Sequence, residues 1–372
     1  MSSRFPNSVD VLIVGGGPAG LATAIAARRQ GLTVAVADGA VPPIDKPCGE
    51  GLMPDGVEAL AHIGVSIREG QGQPFRGIRF VNGEQHAEAR FPNGVAYGIR
   101  RTIFHQILLD RAAASGVDLL WQAPVSGLQK DGAVVAGELI RARWIVGADG
   151  AASRVRTWSG LGTHERKSVR FAARRHYRIA AWSDFMELYW GSLGQVYVTP
   201  VGPEEICVAM ISNHGQFDLD HGLLGFPELA ARLQDAPYAS SERGAITVSR
   251  KLRRVWKGNV ALVGDASAGV DAITGEGLCL AFRQSALLAE CLASNDLARY
   301  QTEHRKLVRR PALMARLMLF MGHQDRIRRR TMRVFESSPR SFAAMLSMHV
   351  GAGTTRDYVS DGISLGWQLL KA

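Results

Sequence analysis

Four cysteines, Cys48, Cys207, Cys279 and Cys291, are all that the 372 residues contain, and none stands in a Cys-x-x-Cys or Cys-x-x-x-x-Cys pair. Their scarcity excludes a disulfide scaffold, and their spacing excludes a dithiol redox centre. No apolar run reaches the ~18 residues of a spanning helix. Residues 1–10 lack the basic, apolar and small-residue succession of a secretory signal, so a cytoplasmic location is expected. The histidines, His62, His86, His105, His164, His176, His214, His221, His304, His323 and His349, are scattered without metal-ligand spacing, and no metal site is expected. No Gly-x-Ser-x-Gly elbow suggests a hydrolase.

Acidic residues are also in short supply. Lys and Arg number 44 against 34 Asp and Glu, a formal charge of +10, which favours anionic partners such as phosphates, acidic cofactors or an anionic membrane surface. The excess is local: Arg299 to Arg333 holds eleven basic residues and two acids, Glu303 and Asp325. No nucleic-acid module accompanies it, so nucleic acid is not an expected partner. At 46% hydrophobic and 21% charged, the chain has ordinary globular usage and can bury a sizeable core.

Asp10-Val-Leu-Ile-Val14 reads as a strand buried on both faces, Gly15-Gly-Gly-Pro-Ala-Gly20 follows, Leu21 to Arg29 favours a helix, and Leu32 to Ala37 reads as the next strand. In this βαβ unit Gly15, Gly17 and Gly20 form Gly-x-Gly-x-x-Gly, with Pro18 and Ala19 inside it. Missing side chains there permit a tight turn and backbone approach to a pyrophosphate at a helix N-terminus. Asp38 ends the second strand, where an acid meets adenosine ribose hydroxyls. The pattern predicts a helix over Thr102 to Ser115, strands over Trp144 to Ala148 and Val260 to Val263, and a helix over Leu278 to Ala293. Short β-type runs occupy Phe75 to Phe91 and Val169 to Ile211.

Two further motifs follow in order: Gly147-Ala-Asp149-Gly150-Ala-Ala-Ser153-Arg-Val-Arg156, and Val263-Gly264-Asp265-Ala266 followed by Thr274-Gly275-Glu276-Gly277-Leu278. Together with the glycine loop they resemble the p-hydroxybenzoate hydroxylase and geranylgeranyl reductase superfamily of FAD-dependent oxidoreductases over roughly the first 290 residues. The resemblance implies an α/β (α+β) fold: a Rossmann-like FAD-binding domain from 1–71, 99–162 and 251–298, an inserted antiparallel-sheet substrate domain from 72–98 and 163–250, and a C-terminal helical region, 299–372. It implies that Asp149 serves FAD and nicotinamide binding and that Asp265 holds the ribityl chain. Gly264, Gly275, Gly277 and Leu278 would place a helix N-terminus at the flavin, where reduced flavin carries negative charge. Arg101 matches the family's arginine before the linking helix, with Arg100 a close competitor. Two departures stand out: Ala272 where the family usually has proline, and no room for a thioredoxin-like C-terminal domain. A second glycine fingerprint for NAD(P)H and the Trp-x-Trp of flavin halogenases are both missing.

Lys46-Pro-Cys48-Gly-Glu50-Gly51-Leu52 resembles the Cys-Gly segment of geranylgeranyl reductase-like members, which approaches the isoalloxazine. Cys48 either donates a proton or tunes the flavin, or packs under a Gly-rich loop. Glu50 is either a base or a loop carboxylate or helix cap. The expected cofactors are FAD, with NADPH or NADH as a transient reductant. The leading expectation is a monooxygenase of secondary metabolism that consumes dioxygen and hydroxylates an aromatic or polyketide-like apolar substrate, seated near Tyr189 to Thr199 and Met210. The alternatives are a reductase saturating alkene bonds and a non-catalytic flavin-binding interaction protein. Leu313 to Val334 is read either as an amphipathic helix covering the core or as one meeting lipid at the inner face of the membrane. Monomer and homodimer both remain open.

Overall fold

The computed structural model describes residues 5–162, 166–215 and 218–353. His164 and the stretch 354–372 of the expected helical region lie outside the described residues.

Two eight-stranded sheets organise the chain. The first follows from the continuous apolar runs. Ser8–Val14 pairs in parallel with Val34–Ala37 on one side and with Glu138–Gly147 on the other, and Val260–Leu262 and Asp118–Leu120 extend the parallel set at either end. Val11, Leu12, Ile13 and all of Val34–Ala37 are buried, as a sheet covered on both faces demands. Trp256–Lys257 and the hairpin Val125–Gln129 with Gly132–Val135 add antiparallel strands. The helix Pro18–Arg29 begins with Pro in its first turn and ends at Gly31, whose φ of +81° suits glycine.

The second sheet runs Ala268–Gly269, Arg243–Lys251, Arg166–Tyr177, Glu205–Ser212, Gln195–Gly202, Met186–Trp190, Gly77–Asn82 and Gln85–Arg90. It is antiparallel except where Met186–Trp190 pairs in parallel with Gly77–Asn82. Period-2 alternation divides its side chains between two cores. Leu188, Trp190, Tyr197, Ala209 and Ile211 join the main core. Tyr189, Val196, Val198, Val208 and Met210 share a core with Leu219, Leu229 and Leu233 of the short helices Leu219–Leu223 and Pro227–Leu233 and with Phe226 between them. A small third sheet joins Gly51–Leu52, Ala96–Gly98 and Gln73–Phe75.

Leu313 to Val334 is two helices rather than one: Leu297–His323 and Asp325–Ser337, interrupted at Gln324, and a third, Pro339–Val350, follows. Met314, Ala315, Met318 and Met321 are buried, which makes this region a cover for the core, while Leu313, Leu317 and Phe320 stay exposed. No helix among the described residues is long and apolar enough to cross a membrane.

Candidate functional site

The glycine loop is shaped by close backbone approaches. A Cβ on Gly20 would stand 1.9 Å from the Gly15 carbonyl oxygen, and one on Gly15, whose φ is +112°, would stand 2.5 Å from the Ala148 oxygen. The space beside Gly17 is open. Gly17 caps the helix Pro18–Arg29 without a side-chain bond, so the first-turn amides are left for an anion. Asp38 braces the loop, accepting from the Gly16 amide at 2.7 Å and the Ala40 amide at 2.8 Å. On the other side the His105 Nε2 lies 2.8 Å from the Gly16 oxygen, so that nitrogen carries the proton. Burial lowers the His105 pKa, which keeps the ring neutral.

Beneath the loop, Gly264, at φ +59°, lets the chain pass Ala19; a Cβ there would stand 2.7 Å from the Ala19 Cβ. Its amide donates to Gln284 at 2.8 Å. Asp265 follows with an exposed side chain, within electrostatic reach of Arg101. Burial among protein atoms raises its pKa, and the positive charges of Lys46, Arg101 and Arg250 oppose that rise. Gly275, at φ +66°, ends the turn Ala272–Thr274, and Gly277 then starts the helix Gly277–Ala293 with no side-chain cap and open space beside it.

The helix start meets a cleft lined by Cys48, Glu50, Leu52, Ile99, Arg101, Phe104 and Leu278. Arg101 opens the helix Arg101–Ala114; it is buried, and its Nη1 finds no partner. Such a guanidinium stays charged, so an unpaired N–H there calls for an acceptor. Arg100 pairs instead with Glu205, while Arg101 is the arginine that lines the cleft. Burial raises the Cys48 pKa, only partly opposed by Arg101, so at neutral pH this group is a thiol.

Glu50 is buried at φ +58°, an unusual conformation for a residue with a side chain, and it is held by bonds at every polar atom. Its Oε1 accepts from the Arg101 amide at 2.9 Å, its Oε2 lies 2.6 Å from His176 Nε2, and its backbone oxygen accepts from the Ile99 amide. It is not a solvated loop carboxylate, and by accepting from the first amide of the helix Arg101–Ala114 it caps that helix start.

Asp149 lies at the edge of this arrangement. Its oxygens accept from the Ser153 hydroxyl and from the amides of Arg154 and Val155, so it fixes the start of the helix Arg154–Trp158. Lys46 reaches across to Gly150, its Nζ 3.2 Å from where a Cβ would be. The structure thus gathers Cys48, Glu50, Arg101 and Leu278 around one cleft, with Asp265 within electrostatic reach of Arg101 and the loop Gly15 to Gly20 and Asp38 beside it. Tyr189 and Met210 are not part of it. They point through the second sheet to its far core, and Tyr197 and Thr199, one register step away, face the cleft side, where Thr199 donates to the Gly49 oxygen at 2.7 Å.

His176, Arg174 and Cys207 escaped the sequence reading. Their donors come from strands more than 120 residues beyond Glu50, and only the alternation of Arg174 and His176 along one strand face hinted at a shared direction. Glu50, His176 and Cys207 offer three donor atoms within 4.8 Å of one another, a grouping that the scattered histidines had concealed. The 2.6 Å between Glu50 and His176 is hydrogen-bond geometry. Two ligands of one ion, each about 2.0–2.2 Å from it, would stand farther apart.

The residues present fit FAD on physical grounds: a backbone cradle with unused amides, a buried unpaired guanidinium, and an uncapped helix start facing the cleft. Residues 8–187 match the FAD binding domain family. The chain is 29% identical to a digeranylgeranylglycerophospholipid reductase of Thermoplasma acidophilum over 81% of its length and 83% of that protein. It is also 29% identical to a menaquinone reductase of Mycobacterium tuberculosis, covering 79% and 78%. Its fold resembles that of a flavoprotein/dehydrogenase from Cytophaga hutchinsonii, with a TM-score of 0.81 at 18% identity over 92% and 93% of the two chains. A geranylgeranyl bacteriochlorophyll reductase-like protein from Thermoplasma acidophilum gives a TM-score of 0.73 at 24% identity over 85% and 87%. Residues 8–187 thus carry an FAD binding domain, and the chain is an FAD-dependent oxidoreductase that is similar to geranylgeranyl reductases and FAD-dependent monooxygenases.

Proposed function

We propose that this oxidoreductase saturates a carbon–carbon double bond in an apolar, isoprenoid-bearing lipid, with NADPH or NADH reducing its FAD. The observation that carries this reading is an apolar-walled cleft, formed by Leu52, Ile99, Phe104 and Leu278, that also holds the Cys48 thiol and Glu50. Reduction of an alkene needs a hydride and a proton, and a thiol kept protonated by burial beside a carboxyl is the proton-bearing half of that requirement. The names of the two reductase relatives favour it. FAD supplies the hydride chemistry when bound; Arg101, Asp265 and the start of the helix Gly277–Ala293 would hold its polar parts.

Delivery of such a substrate from an anionic membrane surface belongs to the same reading. Leu313, Leu317 and Phe320 recur at helical spacing and are exposed, and a groove lined by Arg326, Arg329, Arg330, Arg333 and Gln85 follows on the next helix. Co-sedimentation with anionic but not neutral vesicles is the expected result.

A second reading, hydroxylation of an aromatic substrate with dioxygen, is favoured by 28% identity to a ubiquinone hydroxylase of Rhodospirillum rubrum over 77% of this chain. The deciding experiment adds NADPH or NADH anaerobically to the FAD-loaded protein with a geranylgeranylated lipid, then admits dioxygen. Saturated product formed without dioxygen supports the reductase. Product formed only after dioxygen, and containing it, establishes the hydroxylase. Failure of either nicotinamide to reduce the flavin favours a binding protein without turnover.

A further inference from the structure

The turn Ala272–Thr274, which leads into the helix Gly277–Ala293, has little rigidity of its own. No proline stands between Gly264 and Gly277, glycines flank Glu276 on both sides, and the helix start has no side-chain cap. The second sheet fixes the turn from outside. Arg170, on the strand Arg166–Tyr177, is buried; its Nη1 donates to Asp271 Oδ1 at 2.9 Å, and its Nη2 donates to Gln195 Oε1 at 2.5 Å and to the Ile211 oxygen at 3.3 Å. Asp271 is buried too. It accepts from the Ile273 amide at 3.0 Å and, through its other oxygen, from the Ser249 hydroxyl at 3.4 Å. The Tyr197 hydroxyl donates to the Ile273 oxygen, and burial pushes its pKa up, so the phenol keeps the proton it donates. Thr274 carries the constraint forward: its hydroxyl donates to the Asp271 oxygen at 3.2 Å and accepts from the Glu276 amide at 3.4 Å, one residue before the helix begins.

We propose that Arg170, Asp271 and Tyr197 are positioning residues for the flavin, holding the first amides of the helix Gly277–Ala293 where they favour reduced over oxidised FAD. The proposal rests on FAD lying at this helix start, and it stands whichever reaction follows. The three residues act through the backbone of the turn. A buried ion pair returns little stability beyond its own desolvation cost, so the Arg170–Asp271 pair is read as specifying a position. That position matters because amide donors stabilise negative charge only when they are aimed at it in advance. Reduced flavin carries such charge at its pyrimidine edge, whereas the oxidised ring is neutral. Loosening the turn therefore weakens the reduced form more than the oxidised one, and two-electron reduction of the bound cofactor becomes less favourable by that ratio.

The test is an anaerobic redox titration of the full FAD-loaded chain against a dye of known potential, and it needs no substrate. Tyr197→Phe removes one hydroxyl and keeps the ring. It holds oxidised FAD within about 2-fold of wild type but weakens the reduced form about 10-fold more, read as a midpoint potential lower by about 30 mV. Arg170→Met lowers the potential at least as far, and Arg170→Lys, which returns a charge opposite Asp271, recovers part of the loss. Tyr189→Phe strips a comparable hydroxyl in the far core, bonded to Glu187 at 2.6 Å, and leaves the potential unchanged. An unchanged potential in Tyr197→Phe, with or without lost stability, overturns the proposal, as does an equal drop in Tyr189→Phe. Should Arg170→Met fail to fold, Tyr197→Phe decides alone. Isotope-edited infrared of FAD labelled at the C2 carbonyl separates this failure from a misplaced flavin. The wild-type stretch lies below that of flavin in an aprotic solvent and rises in Tyr197→Phe. A wild-type band at the aprotic position would show that the helix start does not meet the flavin, and the proposal would fall with that placement.

Discussion

The glycine loop and the cleft are neighbours built in opposite ways. The loop, Gly15 to Gly20 with Asp38, is made of backbone and closes within one βαβ unit; its critical contacts are a missing Cβ on Gly20 against the Gly15 oxygen and one amide-to-carboxylate bond from Gly16. The cleft is made of side chains that meet across the fold: Glu50 finds His176 at a separation of 126 residues. A site made from local backbone geometry leaves its signature in consecutive residues, whereas a site made from side chains on separate sheets does not.

That contrast predicts different responses to damage. The largest effect belongs to the loop. Gly20→Ala forces a methyl against a backbone oxygen that has little freedom to move, so FAD retention is lost by more than about 100-fold and stability falls by about 3 kcal/mol. Equilibrium dialysis with FAD and a denaturant titration check both.

Met210→Ala opens a cavity in the far core and costs about 2–4 kcal/mol. The KM for substrate stays unchanged, because Met210 faces away from the cleft. A raised KM with intact stability would return that face of the sheet to the substrate.

The third response is to pH. His304 lies under the loop, within hydrogen-bond distance of Ser267 and of Gln284, and burial holds its pKa down to about 4. A lowered histidine pKa favours the neutral ring in the fold. Its stabilisation is therefore complete above the ordinary value of about 6.5 and is lost as pH falls from there towards 4, by about 3 kcal/mol in all. Thermal melts of wild type and His304→Gln across this window should show a steeper slope in wild type, the remainder in the variant coming from His105.

Arg101→Met gives the mildest of the four effects on the fold, since it removes a buried charge whose Nη1 is unpaired, but it weakens FAD about 10- to 100-fold by fluorescence titration.

Much of the fold was legible for the same reason that the loop was. Two-sided burial gives continuous apolar strands such as Val34–Ala37, and the Pro-initiated helix Pro18–Arg29 follows its glycines directly. Of the strand residues expected near the substrate, Tyr197 and Thr199 face the cleft side and Tyr189 and Met210 the far core, because a strand's alternation shows that two faces exist without showing which covers the cofactor. Tyr189 and Tyr197 look alike in sequence and lie in different cores. The single helix expected at Leu313 to Val334 divides at Gln324, where Arg328 turns inward to bond Asn82 and the Met321 and Gly322 oxygens, a tertiary demand invisible to helical periodicity. Glu50 was recognised as a candidate, but the partners that make it chemically distinctive were not, because no local pattern ties it to His176.

The central claim, that the loop Gly15 to Gly20 and the buried Arg101 hold FAD, is tested most directly by loading the purified chain with FAD, desalting it, and recording its absorption spectrum beside that of Gly20→Ala. The account predicts one FAD per wild-type chain, with its visible bands retained, and a colourless variant. A colourless wild type, or a variant that retains flavin equally well, would contradict it.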